Sequence, residues 1–231
     1  MLLGTILIGN AQKVWVNDAD AELRTVAGSF NAIKVSGGVD IYLSQSDEES
    51  LAVSASKAEY KQQLKTVVNN QVLEIFYDGG SGWNTNNKKL KVYISFKTLQ
   101  KIKASGACDV QVAGSIHVPS LTIECSGASD FKGAVQVQYL KLELSGASDA
   151  KISGTATEVV IASSGASDVK GYDLVADVCT AKASGASDIN ITVNKTLTAN
   201  ASGASDIFFK GNATIAESTS NGASTIAKKG N

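Results

Sequence analysis

The chain has 231 residues, 43% of them hydrophobic, enough for one large domain or two small ones with a real core. Its 21 basic and 22 acidic residues leave a net charge of −1, and Arg24 is the only arginine. This argues against general electrostatic attraction to nucleic acid or anionic membrane, and nearly excludes bidentate phosphate clamps.

The first eleven residues, MLLGTILIGNA, are mostly apolar and too short to span a bilayer. They read as the apolar core and cleavage zone of a secretory signal, so residues 1–12 are expected to be the remnant of one. A buried first strand is the alternative. Export predicts a periplasmic, outer-membrane-surface or extracellular protein. No later segment could cross a membrane as a helix.

Residues 13–100 predict an irregular β-rich part. The stretch from Phe30 to Leu43 resembles a diverged copy of a repeat found later, with SGGVD at 36–40. Ser56-Lys-Ala-Glu59 has the form of a capping box, predicting a short helix through about Leu64. Strands are expected at 66–68, 72–77 and 90–96. A polar, glycine-rich loop spans 78–89. Within it, Trp83 with Asn84, Asn86 and Asn87 forms a candidate ligand-binding group that could stack on a sugar or contact a partner. Trp83 folded back over the end of the structure is the competing reading. The whole segment is read as the start of the same solenoid, with a separate small β domain as the alternative.

Residues 101–231 carry the strongest signal. SGASD occurs five times, at 126–130, 145–149, 164–168, 184–188 and 202–206, with SGACD before them and NGAST after. The aspartates Asp109, Asp130, Asp149, Asp168, Asp188 and Asp206, followed by Thr225, are separated by 21, 19, 19, 20, 18 and 19 residues. A period near 19 signals a solenoid, in which stacking supplies the core that one unit lacks. Mostly apolar or small residues stand one, three and five positions before the motifs, Gln100 being the exception, with polar residues between them. That alternation predicts a strand with one buried face. An apolar residue follows each aspartate, so a second short strand leaves the motif, and a glycine often ends it. A unit this short cannot hold a crossover helix. The expected fold is therefore an all-β parallel solenoid, about 30 Å long at ~4.8 Å per rung. The last copy, NGASTIAKKGN, is expected to cap it.

The aspartate column could be a row of metal sites. Calcium requires six to eight oxygens, and each coil supplies one carboxylate. A structural corner fits better. Gly106, Gly127, Gly146, Gly165, Gly185 and Gly203 would supply the positive φ of a sharp turn. The serines and the aspartates Asp109 through Asp206 would satisfy backbone amides there. Repulsion between carboxylates stacked ~4.8 Å apart is about 0.9 kcal/mol in water. A charge-assisted hydrogen bond, at roughly 1.5–3 kcal/mol, outweighs it.

Enzyme signatures are weak. The outward columns mix Lys, Glu, Thr and Asn without a catalytic grouping. His117, the lone histidine, is expected in a solvated turn between rungs. There is no GxSxG, HExxH or phosphate loop. Cys108, Cys125 and Cys179 lack zinc spacing. Cys125 and Cys179 fall three rungs apart, about 14 Å, and Cys108 is expected at a corner away from both, so three free thiols are predicted. No metal or cofactor is expected.

The SGASD copies, following the start FNAIKVSGGVDIYLSQ and with VPSL before LTIECSGASD, resemble a bacterial family of unknown function: the autotransporter adhesin head, or GIN, domain common in Bacteroidetes. The resemblance covers roughly residues 28–225. It implies a right-handed parallel β-helix, exported to the periplasm or cell surface, and it brings no catalytic residues. The reading is a non-catalytic surface or envelope binding module whose partner is a cell-surface glycan or a protein. A polysaccharide-active β-helix lyase or hydrolase and a purely structural spacer are the alternatives.

Overall fold

The computed structural model describes residues 18–79 and 87–230. The signal reading, on residues 1–12, lies outside them. Among the described residues, no helix is long and apolar enough to cross a membrane.

The chain is a β-solenoid of about seven turns with rungs of ~19 residues. Its strands join into one hydrogen-bonded sheet. The repeat region contains β8 (Lys101–Gly106), β9 (Asp109–Gly127), β10 (Asp130–Leu144), β11 (Ala150–Ser163), β12 (Val169–Gly185), β13 (Asp188–Gly203), β14 (Asp206–Lys210), β15 (Thr214–Gly222) and β16 (Thr225–Lys228). All pair in parallel, each rung on the next.

The strands are longer than expected, because glycines such as Gly133, Gly154 and Gly171 bend them without ending the ladder. Register shifts fall at these second bends, between Lys132 and Ala134, Lys151 and Gly154, and Gly171 and Val175, and two more fall further along the rungs, between Ala176 and Val178 and between Leu197 and Thr198. These shifts absorb the variation in rung length, while the motif corner stays in step, Gly185 pairing with Gly203. His117 is corrected by the same continuity. It lies within β9, opposite Gln136, as an exposed strand residue and not in a turn.

The alternating columns form the core. Ile102, Ile123, Leu142, Ile161, Ala181 and Ala199 are all fully buried. In the last rung, Ser218 pairs with Ala199 and Ser220 with Ala201, and both serines are exposed. The interior column thus passes from Ile and Leu through Ala to Ser, which gives the open end a polar face, as a terminal repeat requires.

The N-terminal half uses β1 (Glu22–Arg24), β2 (Ala32–Ser36), β3 (Asp40–Gln45), β4 (Ser50–Ser54), α1 (Ala58–Gln63), β5 (Leu64–Asn69), β6 (Val72–Tyr77) and β7 (Lys91–Phe96). β2 pairs in parallel with both β6 and β8, and β3 with both β7 and β9. The rung at 32–45 therefore lies between later parts of the chain. The chain forms this rung, descends to build β6 and β7 beneath it, then climbs past it to β8. The SGGVD corner stacks directly on SGACD, with Ser36 opposite Ser105.

Antiparallel strands close this end: β5 on β6, β4 on β7 and β1 on β4. Arg24 reinforces the closure by donating to the carbonyls of Lys61 and Leu64. Here a second correction arises. The helix forms, but its N-cap is Lys57, without a side-chain cap bond. The Ser56 hydroxyl instead donates to the carbonyl oxygen of Asn87 at 2.8 Å. A tertiary partner has taken the group that a capping box would use.

Candidate functional site

Two features could carry function: the column of motif corners and a cleft at the closed end. At each corner the glycine has positive φ, from +78° to +94° between Gly106 and Gly203. The alanine N–H after it donates to the glycine carbonyl one rung below, as Ala147 does to Gly127 at 2.7 Å. The fourth residue turns inward: Ser129, Ser148, Ser167, Ser187 and Ser205 are completely buried. Their hydroxyls bond to backbone groups of neighbouring residues. The N–H of Ser148 donates to Ser167 Oγ at 3.1 Å, and Ser187 Oγ donates to the Ser184 carbonyl at 2.9 Å.

The aspartates point outward, and from Asp130 to Asp206 each accepts a backbone N–H from the next rung, whereas the Asp130 N–H goes to the Cys108 carbonyl and not to Asp109. Asp130 accepts from Asp149 at 3.1 Å, Asp149 from Asp168 at 3.3 Å, Asp168 from Asp188 at 3.4 Å, Asp188 from Asp206 at 3.3 Å and Asp206 from Thr225 at 2.9 Å. In each of these rungs one carboxylate oxygen is thus used by the backbone. Among the described residues, no three His, Cys, Asp or Glu side chains converge to hold a metal ion. At the bottom of the column, burial and then the neighbouring Asp109 carboxylate raise the pKa of Asp40. Burial and then Asp130 do the same for Asp109.

Cys108, Cys125 and Cys179 are free and buried. Cys108 occupies the fourth position of its motif corner, turned inward and fully buried. Burial pushes Cys125 and Cys179 up to about 12.

The cleft, about 440 Å³, is lined by Asp18, Asp20, Tyr42, Ser54, Ser56, Lys89, Lys91 and Tyr93 with Ala19 and Ala55. β3 and β7 pair in register, setting Tyr42 opposite Tyr93. Their rings stack at 5.0 Å between centroids with 24° between planes. The Tyr93 hydroxyl donates to Asp18 Oδ2 at 2.6 Å. Asp18 Oδ1 accepts from Ser54 Oγ at 3.2 Å and from the Asp20 N–H at 3.1 Å. Burial alone would raise the Asp18 pKa, but these three donors and the charge of Lys91 together hold it below the ordinary carboxylate range. The Tyr42 phenol is shifted up, first by burial and then by the Asp40, Asp109 and Asp18 carboxylates, so it remains protonated. On the rim, Lys89 has a φ of +48°, a strained conformation for a residue with a side chain.

Of the sequence candidates, Trp83, Asn84 and Asn86 lie outside the described residues. Asn87 is exposed at the foot of the same loop, and its bond to Ser56 ties the loop to the cleft wall. The tyrosine pair was missed from sequence. A signal was present: Asp40-Ile-Tyr-Leu-Ser and Lys91-Val-Tyr-Ile-Ser share one pattern 51 residues apart.

The comparisons with known proteins agree with this architecture. The family described as "Putative auto-transporter adhesin, head GIN domain" matches residues 29–213. The chain belongs to that family. A solved structure described as a putative adhesin from Bacteroides fragilis is 26% identical, with a TM-score of 0.83 over 90% of this chain and 96% of that one. A putative adhesin from Parabacteroides merdae, 18% identical, superposes with a TM-score of 0.70 over 92% of this chain and 98% of its own. One described as a putative lipid binding protein from Parabacteroides distasonis, 20% identical, gives 0.68 over the same shares. At these lower identities the likeness shows the fold alone. Among curated proteins, none matches.

Proposed function

We propose that this GIN-domain chain is a non-catalytic, exported binding module of adhesin type, which contacts a glycan or protein of the cell surface or envelope. The observation that carries the reading is the cleft at the closed end of the rod. There Asn87 and Lys89 meet a pre-formed wall of tyrosine, carboxylate and ammonium groups. The stacked rungs behind it supply a rigid support, so the groups are held without ordering cost at the moment of binding. The family description and the B. fragilis neighbour support the adhesin reading. The corner column is assigned a structural role, because its serines and aspartates are engaged with the backbone.

The experiment is retention of the purified full chain on intact bacterial cells and on immobilised envelope fractions. Saturable retention is expected, with no product released from envelope polysaccharide. Release of oligosaccharide product would establish the enzyme alternative, and no saturable retention on any surface would leave a structural spacer. Trp83→Ala separates the loop from the rest of the surface: unchanged retention would remove the loop from the contact.

A further inference from the structure

We infer that the Tyr42–Tyr93 cleft binds a neutral polyhydroxylated ring, a hexose-type residue of a glycan. The inference rests on the binding-module reading above and names the ligand class and the residues.

Charge balance gives the class. The lining carries two carboxylates, Asp18 and Asp20, against two ammonium groups, Lys89 and Lys91. A strongly cationic or anionic ligand would gain from one pair and be repelled by the other. A ring of hydroxyls can donate to the carboxylates and accept from the lysines, without the cost of burying a net charge. Tyr42, half-buried and stacked on the buried Tyr93, adds an amphipathic wall, ring carbon for the C–H face of a sugar and hydroxyl for its polar edge. Ser54 and Ser56 add further polar groups to the lining.

The site is also pre-organised. Asp18 is fixed by three donors before any ligand arrives, and Tyr93 is fixed by Asp18 on one side and Tyr42 on the other. The volume of about 440 Å³ is in the range of small-ligand clefts, which suits a saccharide residue and not a long buried chain. Two further grooves among the described residues are less suited. One, lined by Lys103, Glu124 and Glu143, has its carboxylates in ion pairs, Glu124 with Lys101 and Lys103 and Glu143 with Lys141. The other runs over the aspartate column, where Lys170 already bonds Asp149 at 2.7 Å.

The test is a glycan array probed with the full chain, followed by calorimetric titration of neutral hexose and N-acetylhexosamine oligosaccharides and of their sulfated or sialylated counterparts. Binding of neutral glycans in preference to the charged ones is expected. Tyr42→Ala should weaken it by about tenfold. Asp20→Ala, on an exposed side chain whose loss leaves the core untouched, should weaken it several-fold with an unchanged unfolding midpoint. If the chain binds glycans and both variants bind as tightly as the parent, the site assignment is wrong while the adhesin reading stands. If it prefers charged glycans, or is retained on cells through a protein and binds no glycan, the ligand class is wrong and the adhesin reading again stands. If the chain is retained on nothing, both fall.

Discussion

Replacing the corner glycine Gly146 by alanine tests the reading of the motif as a structural turn. Gly146 has a φ of +82°, and an added Cβ would lie 2.5 Å from the carbonyl oxygen of Gly127 and 3.0 Å from its nitrogen. That oxygen accepts the Ala147 N–H at 2.7 Å, so it cannot retreat without loosening the contact between rungs. Two costs therefore add. A left-handed conformation costs an L-residue about 1–2 kcal/mol. Forcing an extra carbon into packed backbone costs about 1–3 kcal/mol more. The expected loss is about 2–5 kcal/mol, a large share of the ~5–15 kcal/mol that holds a typical domain folded. Gly114 supplies the control, having a φ of +76° but no atom within 4 Å of an added Cβ. Gly114→Ala should lose only the conformational part, about 1–2 kcal/mol. Urea unfolding of both full-length variants, followed by circular dichroism, gives the comparison directly if the slopes match. Equal losses, or a smaller loss at Gly146, would refute the argument that close stacking of rungs demands glycine there.

Three further outcomes are expected. Asp149→Asn keeps an acceptor for the Asp168 N–H and gives up a half-exposed ion pair with Lys170, so it should cost under about 1 kcal/mol, whereas Asp149→Ala leaves that N–H unpaired and should cost about 1–3 kcal/mol by the same unfolding assay. The three cysteines should resist a thiol reagent at pH 8 in the folded chain and all react after denaturation, and rapid labelling of Cys125 or Cys179 without unfolding would contradict their burial and raised pKa. Asp40, with its pKa raised by burial and by Asp109, contributes stability that is present below the unfolded-state value and lost as pH rises through the folded one. Asp40→Asn should therefore be at least as stable as the parent at neutral pH, with the difference shrinking on acidification. A neutral-pH loss that persists in acid would show that the ionised carboxylate is needed.

Much of the rod was legible because its units are short and nearly identical. Alternation before each motif, as in Leu121, Ile123 and Cys125, marks the buried face, and those side chains are buried. The inward turn of the fourth motif residue was not legible. Serine is ordinarily a surface residue, and only the stacked corner shows that Ser129 and Ser148 find backbone partners inside. Capping of the helix at 58–63 misled for a related reason. Ser56 has the right chemistry for a cap, but tertiary contact with Asn87 competed for its hydroxyl.

The sequence by itself determined the class of fold, the period and the core columns, because each of these is a local rule repeated many times. It determined the family too, through the reiterated motif. The tertiary structure alone decided the order of the first rungs. It threads residues 32–45 between β6–β7 and β8–β9, a choice made by burial and edge pairing across long separations, which leaves no local periodic trace. That threading brings Tyr42 onto Tyr93 and closes Asp18 over them. The candidate binding cleft is a product of stacking order, and a reading of residues in chain order could not assemble it.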